Sequence, residues 1–355
     1  MKKTILISGN EAVAEGAIRA GCRFYAGYPI TPQNELTAHI AAELPRRGGV
    51  FLQSESELAA INMVYGAAAA GARAMTSSSS PGISLKQEGL SYIAGAQMPI
   101  VVVNVMRAGP GLGNVWPAQS DYFQATKGGG HGDYHLIVLS PWTIQESFEL
   151  TRKAFDLADR YRIAVMILSD GLLGQMMEPL VIDEAQKPPA PIAKPWALTG
   201  ALNRRPNIVQ SLFMKRGEVE KNNLLLQKKY RRIQASEECF DGRYLDDAKV
   251  ILVAYGSMAR ITLEAVHVLR KQGVRAGLLR PVTLWPFPKK VLARLSKEVK
   301  KFLVVEMSYG QMVEDVRLNV DARARVAFYG RSGGGVPTPK QIERETLKLI
   351  RQKKA

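Results

Sequence analysis

The first half of the chain alternates continuous apolar runs with amphipathic, alanine-rich segments. Runs that are apolar throughout are typical of strands covered on both faces, and the segments between them have helical spacing. The pattern predicts a doubly wound, mostly parallel α/β sheet over residues 1–185. The predicted strands are TILIS (4–8), RFYAG (23–27), GVFLQ (49–53), ARAMTS (72–77), PIVVVNVM (99–106), HLIVLS (135–140) and IAVMILS (163–169).

Four of the intervening segments predict helices. Thr143, with Glu146 three residues on, predicts a capping box at the last of them. The segment at 57–71 has almost no polar face, which predicts a helix buried all round. The predicted helices are EAVAEGAIRAG (11–21), NELTAHIAAEL (34–44), ELAAINMVYGAAAAG (57–71) and TIQESFELTRKAFDLADRY (143–161).

The second half begins with a proline-rich stretch, KPPAPIAKP (187–195), which is typical of a linker. Residues 196–246 look irregular and charged, apart from a basic helix candidate at 219–234. A smaller α/β unit follows, in which strand, turn and helix repeat. The predicted division is a sheet domain (1–185), a linker with a basic irregular segment (186–246), a second α/β domain (247–335) and a terminal helix (336–355).

The net charge of +16 over 355 residues is uneven. Residues 1–185 hold 14 Lys and Arg against 17 Asp and Glu, whereas the remainder holds 34 against 15. A basic half suggests an acidic partner, and the alternative is a solvated basic surface without one partner. No apolar run reaches the ~18 residues of a membrane span, and the N-terminus lacks a cleavage site. We expect a cytoplasmic protein without membrane association.

The chain has two cysteines, Cys22 and Cys239, and neither lies in a CxxC pair. Two thiolates cannot hold an iron–sulfur cluster, so any such carrier belongs to another chain. The loop at 117–135 carries His131 and His135 near aspartates. Its glycine-rich setting lacks the helical presentation of common zinc motifs, so we predict no metal site.

Three predicted strand ends carry candidate chemistry. Pro29 and Pro32 bracket Thr31 and stiffen its loop; the alternative is an N-cap followed by proline. Glu57 begins the apolar helix, where lost solvation favours its protonated form; the alternative is complementing the helix dipole. Arg107 precedes a Gly/Pro loop and suits a small carboxylate or phosphate; the alternative is pairing with a local acid. Ends of parallel strands can converge on one crevice.

Five stretches occur in a fixed order along the chain: GNEAVAEGAIRAGCRFYAGYPITP, SESELAAINMVYGAAAAGARAMTSSSSPG, VMRAGPGLGN, PAQSDYFQATKGGGHGDY and ILSDGLLGQMMEP. In this order and spacing they resemble the alpha subunits of thiamine-diphosphate-dependent 2-oxoacid:ferredoxin oxidoreductases. The smaller domain, with AYGSMA (254–259), is similar to their transketolase-C-terminal-like domain. MRAGPGLGN resembles the branched-chain type that acts on 2-oxoisovalerate.

The resemblance implies that thiamine diphosphate is shared with a beta subunit, which holds its Mg²⁺ and diphosphate. It implies iron–sulfur clusters on partner subunits, with gamma and ferredoxin-like delta subunits completing the complex. The acyl group passes to coenzyme A, and electrons leave one at a time for an external ferredoxin. Glu57 matches the residue at the pyrimidine ring nitrogen, and Pro29 matches a position touching the ring. Thr31 and Arg107 match positions that hold the 2-oxoacid.

Other functions stay open at this point. Relatives in the same family act on 2-oxoglutarate or pyruvate. A nucleic-acid-binding protein would explain the basic half, but the sequence lacks a helix-turn-helix, zinc-finger or RNP signature, so we predict no nucleic-acid partner. A non-catalytic basic scaffold subunit is the third possibility.

Overall fold

Strands and helices alternate along most of the chain. The computed structural model describes residues 2–185, 190 and 192–352. The strands are β1 (Lys2–Ser8), β2 (Phe24–Gly27), β3 (Val50–Gln53), β4 (Ala74–Ser78), β5 (Ile100–Met106), β6 (Ile137–Leu139), β7 (Ala164–Asp170), β8 (Met177–Asp183), β9 (Phe240–Arg243), β10 (Val250–Val253), β11 (Ala276–Pro281), β12 (Thr283–Trp285), β13 (Lys301–Glu306) and β14 (Arg325–Gly330). The helices are α1 (Gly9–Arg19), α2 (Asn34–Glu43), α3 (Glu57–Ala69), α4 (Ser80–Leu85), α5 (Gln87–Gly95), α6 (Tyr122–Thr126), α7 (Ile144–Tyr161), α8 (Gly171–Gln175), α9 (Glu218–Ser236), α10 (Gly256–Lys271), α11 (Lys289–Glu298), α12 (Met312–Asn319) and α13 (Pro339–Arg351).

The larger sheet has seven strands in the order β12-β6-β7-β5-β4-β2-β3. All neighbouring strands are parallel except β12, which runs antiparallel to β6. Every residue of β5 and β7 is buried, because helices cover both faces of the sheet. The predicted doubly wound, mostly parallel sheet is confirmed.

The first predicted strand lies outside this sheet. β1 forms a separate antiparallel ribbon with β8, which pairs Ser8 with Met177 and Lys2 with Asp183. Placing TILIS in the parallel sheet was therefore wrong. The ribbon buries Ile7 and Leu180 against α1 and α7 and leaves Leu6 exposed. Such one-sided burial suits an antiparallel pair better than a central parallel strand.

The smaller sheet has five strands in the order β14-β13-β10-β11-β9, and all are parallel except β9. The second α/β unit is thus confirmed, and the predicted basic helix corresponds to α9. The strand β9 was missed, because Phe240–Arg243 lies in a segment interpreted as irregular.

The two sheets are not independent. The stretch 274–288, assigned whole to the second unit, divides between them: β11 joins the smaller sheet and β12 pairs with β6 of the larger one. Ser140 N also donates to the Val282 carbonyl at 2.9 Å. β12 thereby covers the edge of β6, whose backbone groups would otherwise lack strand partners on that side.

The predicted linker lies partly outside the described residues, which omit 186–189 and 191. Beyond the linker the chain packs against the helices that cover the larger sheet. Arg162, just after α7, lies 4.5 Å from the Trp196 ring, and Leu198 N donates to the Ala69 carbonyl at the end of α3 at 2.9 Å. The predicted division at residues 185 and 246 stays a prediction.

Two predictions about helices need correction. α3 is not buried all round in the single chain, since Leu58 is 45% and Met63 37% exposed. At α7, Thr143 Oγ accepts from Glu146 N at 3.1 Å, but the Glu146 carboxylate does not return the bond and so completes no capping box. It accepts instead from Trp142 N and Arg280. None of the described helices is long and apolar enough to cross a membrane.

Candidate active site

Loops at the carboxyl ends of β2 and β5 meet through Arg107. Its Nη1 donates to the main-chain carbonyl of Thr31 at 2.9 Å, and its Nη2 donates to that of Leu112 at 3.2 Å. The side chain is only 7% exposed, and its Nε has no hydrogen-bond partner among the described residues. A buried donor without an acceptor costs about 1–3 kcal/mol, which a ligand oxygen would relieve. No acid forms a salt bridge with Arg107 among the described residues, so the local-pairing alternative is not supported.

A cluster of buried polar side chains holds the main chain at Arg107. Ser80 Oγ accepts from Arg107 N at 3.0 Å and lies 2.5 Å from Asp121 Oδ2, to which it donates. Asn104 Nδ2 donates to the same oxygen at 2.9 Å. Burial raises the pKa of Asp121, and the two hydrogen bonds act in the opposite direction. The start of the arginine loop is therefore fixed by α4 and α6.

The loop of Thr31 is anchored by its neighbours. Asn10 and Gln175 both donate to the Pro32 carbonyl, at 2.7 and 2.9 Å. The Thr31 side chain itself is exposed and takes one long bond, 3.4 Å, from Asn34 Nδ2. Because α2 begins at Asn34 with Gln33 as its N-cap, the alternative that Thr31 caps this helix is wrong. Pro29 is exposed beside it.

Glu57 is the first residue of α3 and is only 6% exposed, whereas Glu55 is exposed. Ser56 caps the helix by accepting from Ala59 N at 3.1 Å. The Glu57 carboxyl lies against Gly82 at the start of α4: a Cβ there would stand 2.5 Å from Glu57 Oε1. Complementing the helix dipole does not require such burial. The position and burial of Glu57 together indicate that its carboxyl does more than stabilise the helix.

α4 connects the two candidates. Its first turn contacts Arg107 through Ser80 and Glu57 through Gly82. Glu57, Arg107 and Thr31 thus lie along one edge of the larger sheet, as the sequence predicts from their positions after strands. The buried hydroxyls of Ser78 and Ser79 at the same edge have no hydrogen-bond partner within the part of the chain that the structure describes.

Lys86 was missed by the sequence reasoning. It is fully buried at the junction of α4 and α5, and its Nζ donates to the Glu57 carbonyl at 3.2 Å. A signal was present, because Ile83, Lys86 and Leu90 share the spacing of a buried helical face.

The two histidines of the polar loop have different neighbours. His131 contacts Tyr92 edge-on, and His135 stacks on Trp285 with ring centroids 4.6 Å apart. Within the part of the chain that the structure describes, no group of three His, Cys, Asp or Glu side chains could hold a metal ion.

The fold and this edge define a class: parallel α/β proteins in which a buried glutamate opens a helix beside the carboxyl ends of the strands. A family model described as "Pyruvate flavodoxin/ferredoxin oxidoreductase, thiamine diP-bdg" matches residues 15–237. A second, "Pyruvate:ferredoxin oxidoreductase core domain II", matches residues 248–342. The chain belongs to this family, as an alpha-type subunit of a 2-oxoacid:ferredoxin oxidoreductase.

Two curated relatives illustrate the similarity. A ketoisovalerate oxidoreductase subunit VorB of Methanothermobacter thermautotrophicus is 48% identical over 350 residues, which cover 98% of this chain and 97% of the relative. A 2-oxoglutarate synthase subunit KorA of the same organism is 37% identical over 377 residues, with 99% and 100% covered. The chain is therefore a subunit of an enzyme complex, and partner subunits are implied.

A solved structure shares the fold along nearly the whole chain. The 2-oxoglutarate:ferredoxin oxidoreductase of Magnetococcus marinus, with 2-oxoglutarate, coenzyme A and succinyl-CoA bound, superposes with a TM-score of 0.85 at 28% identity. The match covers 98% of this chain and 65% of that one. A split-gene transketolase, at 12% identity and a TM-score of 0.60, shares the fold alone.

Proposed function

We propose that the chain is the alpha subunit of a coenzyme A-dependent 2-oxoacid:ferredoxin oxidoreductase whose substrate is 2-oxoisovalerate. The reaction releases CO₂, transfers the branched acyl group to coenzyme A and passes two electrons to ferredoxin. The observation that carries the proposal is the buried Glu57 carboxyl at Gly82, on the same sheet edge as the Arg107–Thr31 contact. The branched-chain choice is supported by the 48% identity to VorB, against 37% to KorA.

The residues at this edge fit the pyrimidine side of thiamine diphosphate, the cofactor expected for the family. When bound, this cofactor supplies the electron sink that decarboxylation of a 2-oxoacid requires. A carboxyl that is nearly out of water and backed by a glycine can hold a hydrogen bond to one ring nitrogen and exchange a proton there. That is the role we assign to Glu57, and Pro29 is assigned a contact with the ring.

Arg107 and Thr31 are assigned to the substrate. The unpartnered Nε of Arg107 is a donor in a dry setting, where a bond to a carboxylate is strong. The Thr31 hydroxyl stands on a loop whose main chain Arg107 already holds. Together they would fix the carboxylate and the reactive oxygen of the 2-oxoacid, so the guanidinium orients the substrate without entering the chemistry.

We propose that a beta subunit completes the site and holds the diphosphate with Mg²⁺. The exposed apolar face of α3, with Leu58 and Met63, supports a chain packed there. Gamma and ferredoxin-like delta subunits would complete the complex, and partner subunits would carry the iron–sulfur clusters. The two free cysteines fit a cytoplasmic location.

The test is purification of the complete complex from its native source, followed by a 2-oxoacid panel with a viologen acceptor and assays for thiamine diphosphate and iron. Preference for 2-oxoisovalerate over 2-oxoglutarate and pyruvate is expected. Preference for either of the others would reject the substrate while keeping the family. Glu57→Gln should abolish most turnover with assembly intact, and Glu55→Gln, which alters an exposed carboxylate two residues away, is the matched control.

The Glu57→Gln variant also tests the alternative that the chain is a non-catalytic scaffold subunit. A non-catalytic subunit would assemble and support unchanged turnover with Glu57→Gln. If the basic half binds DNA only at low salt and without sequence preference, that binding is incidental.

A further inference from the structure

Lys86 places a positive charge in the interior next to Glu57. The residue is fully buried, between Ile83 and Leu90, which are buried too. Its Nζ makes one hydrogen bond, to the main-chain carbonyl of Glu57 at 3.2 Å. Among the described residues no carboxylate forms a salt bridge with it. A buried ammonium with a single neutral acceptor is costly for the fold.

Lys86 keeps its positive charge near neutral pH despite this cost. Burial lowers the pKa of Lys86 to about 8, while the negative charge of Glu57 acts in the opposite direction. Near neutral pH the side chain is therefore mostly an ammonium. The chief electrostatic partner of this ammonium is the Glu57 side chain.

We propose that Lys86 is a positioning residue for Glu57. Its hydrogen bond fixes the first residue of α3, and its positive charge interacts favourably with the Glu57 carboxylate. Glu57 is thereby held where it can exchange a proton with a ring nitrogen. This inference rests on the proposed function of Glu57.

Other charged groups nearby are engaged elsewhere. Glu88 on α5 is exposed and accepts from Tyr92. Arg107, after β5, donates to main-chain carbonyls, and Asp121, before α6, accepts from serine and asparagine side chains. The electrostatic balance at Lys86 is accordingly set by burial and by Glu57.

The first test is Lys86→Met in the complete complex, which removes the charge and keeps an unbranched side chain. We expect turnover on the acid side of the optimum to fall about tenfold and the acid limb of the pH profile to move up by about one unit. The dissociation constant of thiamine diphosphate should change less than about threefold, because Lys86 is not assigned a contact with the cofactor. Lys297→Met, on the exposed face of α11, should alter neither quantity. An unmoved pH profile would overturn the proposal.

The second test needs no bound cofactor. Thermal midpoints of the cofactor-free complex are compared for Lys86→Met, Glu57→Gln and the double variant. A direct interaction between the two residues predicts that the single shifts do not add, and additive shifts would overturn the inference. The two proposals fail separately: normal turnover with Glu57→Gln rejects the function of Glu57. Lost turnover with Glu57→Gln and additive midpoints reject only the role of Lys86.

Discussion

Arg280 holds the carboxylate of Glu146 by two parallel hydrogen bonds, Nη1 to Oε2 at 2.9 Å and Nη2 to Oε1 at 2.7 Å. Arg280 lies on β11 of the smaller sheet and is only 2% exposed, while Glu146 lies in the first turn of α7 on the larger sheet. A buried guanidinium and a partly exposed carboxylate thus join the two sheets by a bidentate pair.

The first prediction concerns this pair. Glu146→Gln leaves the buried guanidinium with Asp241 alone as a counter-charge, 3.7 Å from Nη2, so the free energy of unfolding should fall by about 1–3 kcal/mol in urea denaturation of the purified chain. Glu149→Gln, one turn along the same helix and exposed, should change it by less than about 0.5 kcal/mol. Equal losses in the two variants would show that the bridge contributes nothing particular.

The second prediction uses Gly82. A Cβ at this position would stand 2.1 Å from Ser78 Oγ and 2.5 Å from Glu57 Oε1. Gly82→Ala should therefore cost about 1–3 kcal/mol of stability by overpacking and displace the Glu57 carboxyl, lowering turnover. Gly66→Ala on α3, where a Cβ would have no atom of the described residues within 4 Å, should instead stabilise the isolated chain by about 0.5–1 kcal/mol. Calorimetry and a turnover assay of Gly82→Ala check both effects, and unchanged turnover would contradict the tight contact.

The third prediction follows from the lowered pKa of Lys86. The unfolded chain binds this proton more tightly than the folded one, so the ammonium costs stability below about pH 8. That cost is relieved as the pH rises from about 8 towards 10.5. Lys86→Met should raise the free energy of unfolding by about 2–3 kcal/mol at neutral pH and flatten its rise in the alkaline range. Denaturation curves across this range provide the measurement; a destabilised variant would mean that the ammonium is not penalised by burial.

The fourth prediction separates substrate from cofactor. Arg107→Lys replaces the planar guanidinium by a single ammonium. The lysine cannot bind both main-chain carbonyls and still offer a third donor, the present Nε, to a ligand. KM for the 2-oxoacid should rise about tenfold or more, with thiamine diphosphate affinity nearly unchanged. Initial rates at varied 2-oxoacid and varied cofactor distinguish the two. A parallel loss of cofactor affinity would argue against assigning this guanidinium to the substrate.

Much of the larger sheet could be predicted because its signal is local. The apolar runs of β2 to β7 and the helices α2, α3 and α7 were recognised from periodicity, with boundaries shifted by a few residues, whereas the shorter helices α4, α5 and α6 were missed. Glu57, Arg107 and Thr31 were singled out because each follows a strand. That they lie along one edge follows from parallel topology, which alternation of strands and helices specifies.

What sequence reasoning missed depends on contacts between distant segments. β12 looks like part of the second unit until its pairing with β6 is seen, and β1 looks like a sheet strand until it pairs with β8. Glu146 has the spacing of a capping box, but Arg280, 134 residues away, competes for its carboxylate. Lys86 is inconspicuous because a lysine between apolar residues usually lies at the surface.

The pairing of Thr283–Trp285 with Ile137–Leu139 limits where the polypeptide can be divided into fragments that fold separately. A fragment that ends between the two family matches, near residue 240, would leave β6 as an unpaired, apolar edge strand. Unpaired edge strands form hydrogen bonds with strands of neighbouring molecules, so the fragment would tend to self-associate. Any gene rearrangement that separates these halves must therefore supply a replacement strand, and co-expression of both pieces should restore a well-behaved protein.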